Sequence, residues 1–356
     1  CVWVCRRGQR PAGGKASGKG RAYRWRSQAS LEVVASIRKE RSADVAESVH
    51  AMFRDGDDAE NWRRDHLGAS ILGHRCDRYL WNSFRWVANP KHEGRLLRLF
   101  ERGQREEEWL IEDMENTGEW EIQSRAEDGE QIRVREGHIG GSLDGIVSGL
   151  PESPEEDHVL EIKTSNLKQW EKLREKGVRS SKPVHYVQMQ IYMNKMGLAH
   201  ALYVCVCKDN DEIYSERVPY SEKTAEKHLE RARAVVAAGS PPEKMDPATA
   251  PCVLVSREGK RWPCQYFDVC HGKQMPERSC RTCICATPET TGEGDPVWSC
   301  GLDTDFSSRI SSEKQREGCH SQVTIPTAVN ADISYVSLDK RVVTYQFADG
   351  EQVTQK

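Results

Sequence analysis

The chain has 356 residues, 30% of them charged, with a mean hydropathy of −0.73 and a formal net charge of −3. No run approaches the roughly 18 apolar residues that a membrane-spanning helix needs, so no membrane partner is expected. Phosphate binding calls for a basic face rather than a global excess of cations, so the near-neutral balance decides nothing about nucleic acid.

Charge is unevenly placed. Residues 1–41 carry eleven Lys and Arg against only Glu32 and Glu40. Residues 1–51 therefore read as a disordered basic segment or a non-native extension, with Met52 opening the ordered chain. This segment lacks the continuous apolar stretch of a secretory leader, and a cytoplasmic place in a bacterial or phage-infected cell is the expectation. In a reducing compartment clustered cysteines hold metals more often than disulfides, and eight of the thirteen cysteines fall between Cys252 and Cys319.

Residues 60–88, with Leu67, Ile71, Leu72, Leu80, Trp81 and Phe84, predict a helix or helix pair with one apolar, aromatic face. From Glu93 to Met114, apolar Leu96, Leu97, Phe100, Trp109, Leu110 and Ile111 recur at helical spacing and bring along Glu106, Glu107 and Glu108, with Gly118 ending the helix. Short apolar runs at Gln131–Val134, Ile139–Val147 and His158–Ile162 predict a meander of three strands. Helices follow over 166–176 and 184–197, then a strand pair at Ala201–Cys207 and Glu212–Val218. Thr224–Ala238 is a charged amphipathic helix, after which Gly239, Pro241 and Pro242 mark a linker into the cysteine-rich region. A small hairpin around Asp339-Lys340, from Ile333–Val336 and Val342–Phe347, closes the chain.

The chemistry is concentrated in Ser142-Leu143-Asp144-Gly145 and Glu161-Ile162-Lys163. Two residues apart on a strand, Glu161 and Lys163 point to one face while Ile162 anchors the other. Asp144 and Glu161 are hard oxygen ligands suited to Mg²⁺ or Mn²⁺, the ions that activate water for phosphodiester hydrolysis, and Lys163 would stand beside that water. A solitary Glu-x-Lys is usually a solvated strand face, so the order of further motifs decides its meaning.

Those motifs are present. The region 66–271 resembles the RecB-like and Cas4-like branch of the PD-(D/E)XK nucleases on its Asp144, Glu161 and Lys163, on Gly103-Gln104-Arg105-Glu106-Glu107, and on Gln188-Met189-Gln190-Ile191-Tyr192. The resemblance implies that Glu107 adds a metal-binding carboxylate, although Gln104 stands where the branch has histidine. It implies that the Ile162 carbonyl completes the metal site and that Gln188 and Tyr192 position DNA. The implied fold is an α/β restriction-endonuclease-like core whose central mixed sheet is flanked by helices. The implied activity is exonucleolytic processing of DNA ends in recombination, repair or CRISPR-type processing, with a phage single-strand annealing protein or another recombination factor as partner.

Relatives in this branch hold an iron–sulfur cluster with one early cysteine and three late ones. Cys76 matches the early ligand and Cys264 and Cys270 the last two, while Arg261 stands where a further cysteine is expected and Cys252 is its substitute. The site would carry a [4Fe–4S] cluster, zinc or nothing. Downstream, Cys280, Cys283, Cys300 and Cys319 have the form of a four-thiolate zinc ribbon, a structural Zn²⁺ site. The same stretch resembles a module trailing some phage nucleases, through Thr287-Pro288, Trp298-Ser299-Cys300, Gly318-Cys319 and Ile325-Pro326, with Cys285 where histidine is expected.

The resulting organisation is a 52–240 nuclease core, a 241–276 segment closing the iron–sulfur site, a 277–328 zinc-ribbon-like module and a 329–356 hairpin. Two rival readings stand beside it. One is a catalytically inactive DNA- or protein-binding relative that uses its cysteine modules for assembly. The other is a zinc-ribbon regulator whose carboxylates are surface charge.

Overall fold

A computed structural model describes residues 44–56, 63–89, 91–256, 259–289, 296–302, 309–337 and 342–355. The basic segment up to residue 41 and the Asp339-Lys340 turn lie outside the described residues. The chain divides into a unit Cys1–Val49 and a unit Cys-rich at its end, His50–Lys356, and helix α1 (Asp44–Asp55) runs across the expected boundary at residue 51.

The second unit is built on a five-stranded mixed sheet of order β2-β5-β6-β7-β8: β2 is Glu121–Gln123, β5 Gly145–Ser148, β6 His158–Ser165, β7 His200–Cys207 and β8 Ile213–Pro219. Only β6 and β7 run parallel, in a register that sets Glu161 beside Tyr203 and Lys163 beside Cys205. Such a parallel pair needs a crossover, supplied by α4 (Leu167–Ser181) and α5 (Pro183–Met196). Asn166 caps α4 through its side chain, Gly177 at φ 67° breaks that helix, and Pro183 opens α5 where its missing N–H costs nothing.

Alternation along the strands sorts the core into two layers. Leu160 and Ile162 of β6, with Val204 and Val206 of β7, face Leu110 and Met114 of α3 (Gly94–Thr117). Val159, Ala201, Tyr203 and Cys205 face the opposite layer, made by α5 and by α6 (Glu222–Ala237). Gly118, at φ 68°, terminates α3 as its position predicts. Phe100 and Trp109, which share the helical apolar pattern, are instead 41% and 59% exposed, so the stripe of α3 that meets the sheet is narrower than the sequence suggests.

The predicted meander divides between two sheets. β3 (Arg133–Glu136) and β4 (Ile139–Ser142) join the short β1 (Leu67–Gly68) in a separate sheet of order β1-β4-β3, whereas β5 and β6 belong to the central one. Fully buried Leu143, whose amide donates to the Ile132 carbonyl at 2.9 Å, ends β4, and the chain passes from one sheet to the other at Asp144.

The cysteine-rich end packs into the same core. α2 (Asp77–Phe84) is followed by buried Arg85 and Trp86; Arg281 lies with its guanidinium 3.7 Å from the Trp86 ring centre and donates to the carbonyls of Phe84 and Asp65, both at 3.0 Å, and to Gln315 at 2.9 Å. Trp298, on the hairpin β11 (Ala286–Glu289) and β12 (Val297–Cys300), is 1% exposed against Phe84 and Arg85. Two further helices, α7 (Phe267–His271) and α8 (Ser312–Glu317), and a hairpin of β9 (Val253–Val255) and β10 (Arg261–Pro263) complete this region. The expected terminal hairpin is a three-stranded sheet of β13 (Asp332–Ser337), β14 (Val342–Gln346) and β15 (Gln352–Gln355). Gln352–Gln355, with Val353 between polar residues, is too short an alternation to stand out.

Candidate active site

The backbone brings Asp144, Glu161 and Lys163 together. Asp144 Oδ2 accepts from the Ile162 amide at 2.7 Å and lies 3.3 Å from Lys163 Nζ, which is 2.5 Å from Glu161 Oε1 and donates to the Ile162 carbonyl at 2.8 Å. Glu161 is fully buried; its Oε2 accepts from Gln188 Nε2 at 3.0 Å, while Oε1 faces the Lys163 ammonium. Gln188 and Tyr192, one turn apart on α5, are linked at 3.3 Å, and the Tyr192 hydroxyl donates to the Ser142 carbonyl at 2.8 Å. The five side chains thus tie β4, β6 and α5 into one cluster.

Gly141 makes this possible. A Cβ there would stand 2.6 Å from the Tyr192 hydroxyl, so only glycine lets α5 approach the strand this closely. A glycine pair inside an apolar strand was the available sequence signal for this requirement.

Glu107 sits on the face of α3 that carries Leu110 and Met114, and joins the cluster electrostatically. Burial, reinforced by the Asp144 charge, pushes its carboxyl up to about 7. Burial also lifts Glu161 to about 8, with Asp144 and Glu107 adding to the effect against the opposing Lys163. Burial disfavours the Lys163 charge, yet Glu161 and Asp144 outweigh it and hold that ammonium above its ordinary range. Three carboxylates thus share one cation, and two of them are pushed toward neutrality. A site with three carboxylates to one ammonium carries excess negative charge, the electrostatic setting that suits a divalent cation.

The cluster opens on a cavity of about 910 Å³ whose wall includes Glu107, Asp144, Gln188 and Tyr192 together with Arg64, Arg125, Arg133 and Arg135. Arg133 and Arg135 flank buried Val134 on β3, so the strand presents its cations to one side. Their alternation is legible in the sequence; Arg64 and Arg125 reach the wall only through the fold.

No protein-family model and no curated protein matches the chain. Among solved structures it is similar to an alkaline exonuclease from Laribacter hongkongensis, at 17% identity and a TM-score of 0.36, over 50% of this chain and 91% of that one. The same values hold for that exonuclease in complex with dAMP. A phage-related exonuclease from Haemophilus somnus 129PT matches at 13% identity and a TM-score of 0.33, over 50% of this chain and 94% of that one. The chemical reading therefore rests on the site itself.

Cys76, Cys252, Cys264 and Cys270 line one small cavity with Tyr79, Tyr266 and His271. Cys76 caps α2, its sulfur accepting from the Tyr79 amide at 3.4 Å, and the β9–β10 hairpin brings Cys252 in, the Cys264 amide donating to the Cys252 carbonyl at 2.7 Å. Burial raises the Cys264 thiol to about 11, with Cys270, Cys252 and Cys76 contributing further. Four thiols that oppose one another's ionisation around a shared void fit a cationic centre. Cys280 is likewise raised to about 11, by burial and then by Cys319, Cys283 and Cys300.

Among the described residues, the trio of ligand-type side chains whose donor atoms all lie within 4.8 Å of one another is instead Glu156, His158 and His200. By the same measure neither cysteine set brings three sulfurs that close, nor do Glu107, Asp144 and Glu161 bring three oxygens that close, and a single tetrahedral zinc with Zn–S about 2.3 Å would require tighter convergence. The Glu156 trio, unnoticed in the sequence, already has a cation: Arg217 donates to His158 Nε2 and lies on His200 Nδ1, both at 2.9 Å, and donates to Glu156 at 2.7 Å.

Proposed function

We propose that this chain is a metal-dependent DNA nuclease of the PD-(D/E)XK class, an exonuclease processing DNA ends. The observation that carries the reading is the fully buried Glu161, held with Asp144 around Lys163 at the mouth of an arginine-walled cavity. Asp144, Glu161, Glu107 and the Ile162 carbonyl would hold Mg²⁺ or Mn²⁺, which supplies Lewis acidity toward the phosphate and acidifies water. Lys163 presents its ammonium donors beside the two carboxylates and orients the attacking water. Gln188 and Tyr192 fix Glu161 and the Ser142 carbonyl in place and form the cavity floor on which DNA is positioned. The arginine wall holds the phosphates of the strand.

In the same reading Cys76, Cys252, Cys264 and Cys270 would hold an iron–sulfur cluster, or zinc in its place, that staples the 241–276 segment to α2. Cys280, Cys283, Cys300 and Cys319 would hold zinc in the 277–328 module, which requires their sulfurs to draw closer than they stand. Exonuclease action at ends, and partnership with a single-strand annealing protein or another recombination factor, rest on the motif resemblance.

The decisive assay is degradation of linear and circular DNA with Mg²⁺ or Mn²⁺ by the wild-type chain, Asp144→Ala and Lys163→Ala. Loss of linear DNA, survival of circles and silence of both variants are the expected result. Absence of wild-type cleavage on every substrate would replace the reading by a DNA-binding relative.

A further inference from the structure

His158 opens β6 and His200 opens β7, and the two are paired in register. Alternation puts them on the sheet face that carries Leu160 and Leu202, opposite the face of Glu161 and Lys163. Glu156 comes from the loop before β6, and its Oε2 stands 3.0 Å from His200 Nδ1. We propose that Glu156, His158 and His200 form a Zn²⁺ site, in which Arg217 is a built-in placeholder that leaves when the ion binds. The inference is independent of the nuclease reading.

The donor set selects the class of ion. Two imidazole nitrogens and one carboxylate oxygen suit zinc and its transition-metal neighbours, whereas Mg²⁺ and Ca²⁺ take oxygen ligands. The geometry agrees with a coordination sphere. All three donor atoms lie within 4.8 Å of one another, and the 3.0 Å edge between Glu156 and His200 fits Zn–O and Zn–N bonds of about 2.0–2.2 Å. His158 is fully buried and its Nδ1 faces the Glu156 carbonyl at 2.9 Å, so Nδ1 carries the proton and Nε2 turns its lone pair to the shared centre. The two rings stack at 5.5 Å with 30° between their planes, which leaves little side-chain entropy to lose when an ion orders them.

Arg217 marks where a cation sits. It donates from Nε to His158 Nε2 and lies against His200 Nδ1, both at 2.9 Å, and it reaches Glu156 and Ser153 Oγ at 2.7 Å. A guanidinium ordinarily forks onto carboxylate or phosphate; here two of its contacts go to imidazole nitrogens, the donors a transition ion prefers. Its side chain is 30% exposed, so it can withdraw to water without leaving a buried charge unpaired. Half-exposed Glu156 gives the ion a way in, and three protein ligands leave a fourth position open. Bound there, zinc would tie the loop bearing Glu156 to the first residues of β6 and β7.

Zinc uptake by the full chain, read by equilibrium dialysis against buffered zinc and elemental analysis of the protein, is the test. Cysteine-bound metal is common to every variant and cancels in the differences. The wild type should hold one equivalent more than the Glu156→Ala/His200→Gln double variant, and excess Mg²⁺ should not remove it. Glu156→Ala alone, at a half-exposed side chain, should weaken that equivalent by roughly 10–100-fold, and it decides the matter if the double variant does not fold. Arg217→Gln should tighten it by roughly tenfold, because the competing charge-assisted hydrogen bonds are gone. Equal zinc content in the wild type and the double variant at saturation, or an affinity unmoved by Glu156→Ala and Arg217→Gln alike, overturns the site. An extra equivalent that appears only in Arg217→Gln also overturns it, since the guanidinium would then be the permanent occupant.

Discussion

At the level of single residues the site trades stability for chemistry. Glu161 is fully buried, and its carboxyl is lifted to about 8 by burial, against the opposing Lys163 on Oε1 and with its acidic neighbours adding to the effect. Glu161→Gln keeps an oxygen to accept from Gln188 and removes the charge, so the melting temperature should hold or rise while nuclease activity falls on the order of 100-fold or more. Thermal denaturation and DNA hydrolysis measured on one preparation check this, and a variant that is both unstable and active would contradict it. Gly141 obeys the opposite logic. A methyl group 2.6 Å from the Tyr192 hydroxyl must push α5 away from β4, so Gly141→Ala should cost roughly 1–3 kcal/mol and impair catalysis through Tyr192 and Gln188. An unchanged urea midpoint would show that the approach of α5 is not tight.

Among the elements, the strands and helices around the site were legible because each carries a local signal: Pro183 and Gly197 bracket α5, Gly118 closes α3, and alternation about Ile162 marks β6. The passage of the chain from one sheet to another at Asp144 was not, since strand alternation says which face is buried but not which sheet a strand joins. The place of Cys252 beside Cys264 was not legible from its spacing, and pairing of β9 with β10 is what puts it there. Least legible was the docking of the cysteine-rich elements, which depends on Arg281 inside a cage of Trp86, Phe84 and Trp298. Burial lowers this guanidinium to about 9, so its bonds to the Arg64, Asp65 and Phe84 carbonyls and to Gln315 must compensate. A lysine supplies one compact ammonium in place of a planar fork, and Arg281→Lys should therefore destabilise the fold by about 2 kcal/mol or more. Chemical denaturation followed by tryptophan fluorescence reads this directly, and a loss under about 0.5 kcal/mol would mean that the cage does not need the fork.

For the molecule as a whole, the junction between the small β1-β4-β3 sheet and the β11–β12 hairpin turns on His138, which is 1% exposed between Phe84 and Trp298. Its Nε2 faces two carbonyl oxygens, of Glu289 at 3.1 Å and Val297 at 3.2 Å, so that nitrogen carries the proton, and the buried Nδ1 has no partner. Protonating Nδ1 would place an unsatisfied charged donor in an apolar cage next to Arg281, and burial followed by the Arg281 charge drives the imidazole down to about 4 from an ordinary 6.5. The unfolded chain takes up this proton below pH 6.5 and the native chain refuses it until about pH 4. The His138 contribution to stability is therefore complete above pH 6.5 and is lost as the pH falls toward 4, a decline on the order of 2–3 kcal/mol. His185, pushed down to about 3 by burial and by Lys163 and Lys182, adds a slope of the same sign. His138→Gln preserves a donor toward the two carbonyls and cannot titrate, so its stability should fall less steeply than that of the wild type between pH 6.5 and 4. Melting curves of the two proteins across that interval separate the cases, and parallel slopes would remove His138 from the acid response of the β11–β12 junction.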